Sequence, residues 1–274
     1  VITCVKNLIV CADDYAQNAA ISEGILKALT AKRINAVSCL TNMTDWFEAG
    51  QVLHATKTSA SIGLHLNFTQ GQPLSAAWKN KYGIKFKSLL AVISSNYFKY
   101  IDRACIEAEC LAQLNRFRLV MKRNPDFIDG HQHVHQLPMI RQVLLSIYAK
   151  EQLTGWMRVS DYSRVFNKNI VNPLKMLMIA QLGGFALRRL VTKMHIPTHT
   201  SFSGIYRFEH AAEYAQLFKK FLSISEPNGL IMCHPGLPSE DQFDPIRVSR
   251  SYELDYFMSD DYLADLEAHG FKLF

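Results

Sequence analysis

The chain has 274 residues, is 49% hydrophobic, and sets 30 Lys and Arg against 24 Asp and Glu for a formal net charge of +6. That length and apolar share suit one large α/β barrel or two ordinary domains around a sizeable core, and no break in composition argues for two. The mildly basic balance suits an anionic surface or substrate; no Arg/Lys run with interleaved aromatics points to nucleic acid, and no stretch of about eighteen apolar residues exists to form a spanning helix.

In chain order, Val5 to Ala12, apolar apart from Lys6-Asn7, reads as a strand, followed by the polar turn Asp13-Asp14 and a helix over Ile21 to Ala31. Ala36 to Leu40 is a second strand, Asp45 to His54 a short helix, and Ser61 to Phe68 a third strand that ends in the turn Thr69-Gln70-Gly71-Gln72-Pro73. Trp78 to Lys87 reads as a polar, basic excursion before a long amphipathic helix over Ile101 to Lys122. Phe127 to Gly130 is the next strand, Pro138 leads into a helix over Ile140 to Lys150, and Trp156 to Ser160 is another short strand. The stretch from 161 to 200 is less regular, with a helix from Pro173 to Met194 interrupted at Gly183-Gly184. Helix over His210 to Leu222, strand over Leu230 to Cys233, helix over Ser249 to Ala268 and a closing strand over Phe271 to Phe274 complete the chain. The alternation of strand and helix predicts a parallel sheet or barrel, spanning 1–274 as one domain with an irregular helical excursion at about 161–200.

The six cysteines, Cys4, Cys11, Cys39, Cys105, Cys110 and Cys233, form no CxxC pair and lie mostly in apolar segments, so they read as reduced core thiols. With no secretion signal in Val1 to Val10, the expected location is the cytoplasm.

Chemistry-bearing residues follow four of the strand-like runs: Asp13-Asp14, His65, the cluster from Asp129 to His135, and His234. As a continued strand, the cluster would point Asp129, His131, His133 and His135 to one face. Each group has a bland alternative, since an Asp after a strand is often a helix N-cap and a lone His is more often a satisfied polar residue than a ligand. Together they match a catalytic metal site of two histidines and one carboxylate with positions left open for water and substrate. Such a metal acidifies water and polarises a carbonyl; the second carboxylate of the adjacent pair then serves as general base, and His234 as the acid toward a leaving amine. Spacing alone does not choose between His131 and His133.

The combination of Ala12-Asp13-Asp14-Tyr15, Gly63-Leu64-His65-Leu66, Gly71-Gln72-Pro73-Leu74, Asp129-Gly130-His131-Gln132-His133-Val134-His135-Gln136-Leu137-Pro138 and Cys233-His234-Pro235-Gly236 resembles the YdjC-like carbohydrate deacetylase family, which includes chitooligosaccharide deacetylases. The resemblance touches the chain from residue 8 to about 236. It implies a TIM-barrel-like (β/α) barrel of the glycoside hydrolase/deacetylase type, open to distortion, and metal-dependent deacetylation of an N-acetylated sugar or glycolipid. It further implies one divalent ion, Zn or Mg, on Asp14, His65 and His131, with Asp13 as base. His133 and His135 become supporting or substrate-contact residues, and Arg158 falls where the family tends to place an arginine near the sugar. The chain departs from the family's Asp-Asp-Phe-Gly at Tyr15-Ala16, where a turn of positive φ would tolerate Ala poorly. After Asp161 it sits nearer to a subgroup associated with hopanoid-lipid biosynthesis.

The Leu- and Met-rich segment 173–194, with basic flanks, reads either as a peripheral membrane contact or as a core or homodimer-interface helix. Two other functional readings stand beside the deacetylase: a metal-dependent phosphoesterase or other amidohydrolase on the same barrel, and a carbohydrate- or lipid-binding protein without catalysis. Nucleic acid is not an expected partner.

Overall fold

Eight parallel strands organise the computed structural model, which describes residues 5–161 and 172–273. They are β1 (Lys6–Tyr15), β2 (Ala36–Cys39), β3 (Ser61–Leu66), β4 (Phe127–Gly130), β5 (Trp156–Met157), β6 (Phe202–Ser203), β7 (Gly229–Cys233) and β8 (Phe271–Leu273). Their order is β5-β4-β3-β2-β1-β7-β6, and β8 pairs with the start of β1. β1 is central, and from Val10 onward every residue is buried, which is why it reads as one apolar run without alternation.

The two ends of the sheet meet through an irregular seam. Met157 N donates to Pro197 O at 2.9 Å, Thr198 Oγ1 donates to Met157 O at 2.8 Å, and Val159 N donates to His199 Nε2 at 3.0 Å. The architecture is therefore an α/β, TIM-barrel-like ring, distorted where β5 and β6 are too short to pair.

Helices α1 (Ala19–Thr30) and α2 (Trp46–Ala55) follow the first two strands. α1 starts because Asn18 caps it, its Oδ1 accepting from Ile21 N at 3.0 Å, and it buries Ile21, Ile25, Ala28 and Leu29 at helical spacing. Asn18 thus takes the capping job and leaves Asp14 free of it. Between β3 and β4 lie α3 (Ala76–Tyr82), α4 (Leu89–Tyr97) and α5 (Arg103–Met121). The stretch read as a polar, basic excursion, Trp78 to Lys87, is helical only in its first half, where α3 runs to Tyr82: Ser75 caps α3, and Trp78 buries against Phe68 and Phe86.

α6 (Pro138–Lys150) begins on Pro138, whose fixed φ suits the first helical turn. α7 (Pro173–Ile179) and α8 (Phe185–Lys193) flank a wider π-type turn, Ala180–Gly184, so the Leu/Met-rich segment is two helices. Gly183 has φ 151°, and a Cβ there would lie 2.0 Å from Gln136 O, so only glycine permits this approach. The first ten residues of the irregular stretch after Asp161, residues 162–171, lie outside the described residues. α9 (Tyr214–Ile224) follows a 3₁₀ turn over Phe208–Glu213, and α10 (Arg247–Met258) and α11 (Asp260–Ala268) precede β8.

Three expectations need correction. β6, two residues long, carries too little pattern to be read from sequence. β5 stops at Met157, two residues into the expected strand. β4 stops at Gly130, and His131–Gln136 form a 3₁₀ segment with Gln132 at φ 52° and His133 at φ 61°, so the histidines do not alternate along a strand face. Among the cysteines, Cys4 lies outside the described residues, and Cys11, Cys39, Cys105, Cys110 and Cys233 are buried and unpaired. Among the described residues no helix is long and apolar enough to cross a membrane.

Candidate active site

Adjacent residues on a regular strand face opposite ways, yet Asp13 and Asp14 both reach the site. The reason is a β-bulge: Ala12 pairs with Val37 and Tyr15 with Cys39, so Asp13 and Asp14 together oppose Ser38. Asp14 adopts φ 70°, a left-handed conformation that Asp tolerates better than most residues. Ala16 also sits at positive φ (73°), a strained conformation for a residue with a Cβ, and its N–H donates to Ser22 Oγ at 3.1 Å.

Asp14 is the meeting point. Its Oδ1 lies 2.8 Å from His131 Nδ1 and 3.5 Å from His65 Nε2, and its Oδ2 accepts from Arg250 Nη2 at 2.9 Å. Burial alone would raise its carboxyl, but the charges of His131 and Arg250 and hydrogen bonds from both histidines hold it well below the usual carboxylate range.

His65 is oriented from behind. β3 and β4 pair His65 with Asp129, and its Nδ1 lies 2.6 Å from Asp129 Oδ1 and 2.9 Å from Ser38 Oγ. With the Nδ1–H given to Asp129, Nε2 is left facing Asp14, the arrangement that fixes the tautomer of a metal-binding histidine. Burial opposes a charged ring, but Asp129 and Asp13 outweigh it and push His65 up to about 10.

The structure brings Asp14, His65 and His131 together: one donor atom from each lies within 4.8 Å of the others, and all three residues are buried. His131 Nε2 is buried without a hydrogen-bond partner. Two imidazoles and a carboxylate held ionised, with one orphaned nitrogen, fit a divalent cation. His131 reaches Asp14 through its place at the start of the 3₁₀ segment, and not through strand alternation.

A second acidic group, Cys11, Asp13 and Asp129, also clusters within 4.8 Å. Here a guanidinium already supplies the positive charge. Arg158 donates from Nη1 to Asp13 Oδ2 and from Nη2 to Asp13 Oδ1, both at 2.6 Å, and its Nη2 lies 2.7 Å from Asp129 Oδ2. Arg158 is fully buried, so it meets Asp13 and Asp129 and not solvent.

The other two histidines of the cluster separate. His133 Nδ1 lies 2.9 Å from Ser160 Oγ, and burial holds the ring well below its usual value. His135 is fully buried, pushed down to about 4 by burial, and its Nε2 donates to Arg158 O at 3.0 Å. His135 therefore supports the backbone that carries Arg158 and has no face for a substrate.

β1 and β7 pair Ala12 with Cys233, so Asp13 and His234 leave adjacent strands side by side. Burial lowers His234 to about 4, against the raising influence of Asp14 and Asp13. Its backbone N–H donates to Glu253 Oε2 at 2.6 Å, and its Nδ1 lies 4.0 Å from Glu253 Oε1.

Arg250, Glu253, Asp244 and Ser38 were not anticipated. Arg250 is clamped by Asp244, its Nε donating to Oδ2 at 2.7 Å. The available signal was that Arg250 and Glu253 share a buried helical stripe with Leu254 and Phe257, where charges are rare unless paired.

Glu253 gives a testable pH dependence. It is fully buried, and burial raises its carboxyl to about 7, against hydrogen bonds from His234 N–H and Tyr206 OH. The folded chain then keeps a proton that the unfolded chain releases near its ordinary value of 4.5. This contribution is complete below that value and is lost as pH rises toward 7, up to about 3 kcal/mol. Denaturation followed between about pH 5 and pH 8 should show that fall, and Glu253→Gln should flatten it. The slope is the readout, because the amide itself sets a donor against the His234 N–H.

The profile of the family described as YdjC-like protein matches residues 7–268. The carbohydrate deacetylase of Mus musculus is 36% identical over 146 residues, covering 50% of this chain and 45% of that one. The chain spans about half the length of such vertebrate relatives. The chitooligosaccharide deacetylase of Yersinia enterocolitica is 26% identical over 282 residues, covering 98% and 97% of the two chains. Among solved structures, an Enterococcus faecalis protein whose name proposes cellobiose-phosphate cleavage superposes with TM-score 0.71 at 21% identity, covering 99% and 97%. A peptidoglycan N-acetylglucosamine deacetylase superposes with TM-score 0.50 at 10% identity, covering 98% and 85%. At these identities the two structures share the fold.

Proposed function

The chain belongs to the YdjC-like family, and on that premise we propose that it is a metal-dependent hydrolase that removes the acetyl group from an N-acetylated sugar, free or lipid-linked. The observation that carries this reading is the pairing of a three-donor cluster, Asp14, His65 and His131, with a separate carboxylate, Asp13, one residue away and aimed by Arg158. The names of the mouse and Yersinia relatives support the choice of acetylated carbohydrate. A divalent cation on those three residues, Zn or Mg, would polarise the amide carbonyl and acidify the attacking water.

Asp13 accepts the proton of that water. Arg158 leaves each of its oxygens further lone pairs while fixing the carboxylate plane, so the base is oriented before substrate arrives. His234 stands beside it and delivers a proton to the departing amine. Because burial keeps that ring neutral at rest, the proton it delivers is the one Asp13 takes from the water, so that both groups return to their resting forms when the amine leaves. His133, His135 and Arg158 act as supports. The five buried, unpaired thiols fit a reducing compartment such as the cytoplasm.

Acetate release from N-acetylglucosamine oligomers, with and without chelator, tests the reading; phosphate release from phosphorylated sugars instead of acetate would favour the phosphoesterase alternative. His131→Ala is expected to lower bound metal at least tenfold together with activity, measured by metal content and acetate assay. Retention of full metal content in that variant would remove His131 from the ligand set.

A further inference from the structure

An apolar and basic face lies next to the site and takes no part in the chemistry proposed above. From Ala49 to Ile101, and again from Tyr162 to Phe208, the sequence contains no Asp or Glu. The fold brings the described parts of these two acid-free stretches into contact: Tyr97 OH, on α4, donates to Leu182 O, in the turn between α7 and α8, at 3.0 Å. Large apolar side chains stand in solvent on both sides of that bond, Leu90, Phe98 and Tyr100 at 79%, 67% and 73% exposure, and Leu174 and Met178 at 73% and 57%. On α7 they occupy the helical face opposite buried Met176 and Ala180, so the exposure is a continuous face and not scattered residues.

Basic groups are set among them. Lys85, Lys87 and Lys99 are exposed. Lys85 and Lys87 line the mouth of a cavity of about 170 Å³ whose other walls include Trp78, Tyr82 and Tyr100. The acid at the edge, Asp102, is already paired with Lys81 at 2.7 Å. The end of α7 rests on the end of the histidine segment, Gln136 Nε2 donating to Ile179 O at 3.0 Å, so the face adjoins the segment that carries His131.

We propose that this face docks on the surface of an anionic lipid bilayer. Charge complementarity selects that occupant over a second copy of the chain. A two-fold interface sets a patch against itself, and here it would bring lysines against lysines with no carboxylate from either acid-free stretch to relieve them. Anionic headgroups neutralise the lysines while the Leu, Met, Phe and Tyr side chains enter the interface. Contact is superficial, since no described helix is long and apolar enough to cross.

The test reads binding, not turnover, and so stands apart from the proposed reaction. The full chain is expected to co-sediment with vesicles of equal parts phosphatidylcholine and phosphatidylglycerol, to be released by salt, and to leave pure phosphatidylcholine vesicles in suspension. Each of Lys85→Gln, Lys87→Gln and Lys99→Gln should lower partitioning about fivefold. Leu174→Ser with Met178→Ser should lower it about tenfold, and both residues are exposed enough for the variants to fold. No binding to the anionic vesicles, or equal binding to the neutral ones, overturns the proposal. So does a dimer in gel filtration that the same variants split into monomers, which would make the face a self-interface.

Discussion

Asp13→Asn is expected to lower kcat for acetate release about a thousandfold while leaving the metal content of the chain unchanged. The two halves of that result come from different contacts. Asp13 lies outside the donor group formed by Asp14, His65 and His131, so the amide does not touch the cation's ligands. It does replace the acceptor of the water's proton by a group that cannot take one. Arg158 keeps its ion pair with Asp129 at 2.7 Å, so its buried charge is not orphaned and the chain should fold. Comparing kcat and metal content of both proteins, with thermal melting as the control for folding, decides the matter. Full turnover by Asp13→Asn would show that another group accepts the proton.

The strands could be read from the sequence where burial on both sides left an apolar run, as in β1 and β7, or where apolar residues alternated, as in β3. They could not where tertiary contacts do the work of length: β5 and β6 have two residues each and depend on the bonds around Pro197, Thr198 and His199. Helix α3 was hidden because Lys79 and Lys81 surround a buried stripe reduced to Trp78, and α4 because only Val92 and Asn96 of its nine residues are buried.

The site was legible as a set of residue types but not as a geometry. Alternation would put Asp129, His131, His133 and His135 on one face, but the backbone turns left-handed at Gln132 and His133 where a strand would have continued. Nothing in the local pattern of Asp13-Asp14 announces a bulge; it appears only in the register against β2. Arg250 and Glu253 reach the site from a helix more than two hundred residues away from Asp14, and only the closed ring makes them neighbours. Arg158, read as a substrate-binding or supporting residue, is the buried cation between Asp13 and Asp129.

Asp129→Ala is the substitution expected to damage stability most, by about 3–5 kcal/mol. Asp129 is fully buried and holds three neighbours: Ser38 Oγ donates to it at 2.5 Å, His65 Nδ1 lies at 2.6 Å, and Arg158 Nη2 at 2.7 Å. Alanine leaves two buried cationic groups sharing the remaining carboxylates, and Arg158 cannot shed its proton to escape the cost. For a chain of this size the midpoint of thermal unfolding should fall by roughly 10 °C. His65 also loses the group that orients it, so metal affinity should drop about tenfold or more in whatever fraction stays folded. The surface pair Lys150–Glu107 is the internal comparison: its atoms are 2.8 Å apart, but the lysine side chain is 63% exposed. Lys150→Ala should therefore change stability by less than about 1 kcal/mol. Denaturant midpoints for the two variants separate burial from distance as the controlling variable, because both pairs are short and only one is dry. If the two variants lose stability alike, the charge arrangement around Asp129 is not what holds this end of the barrel together.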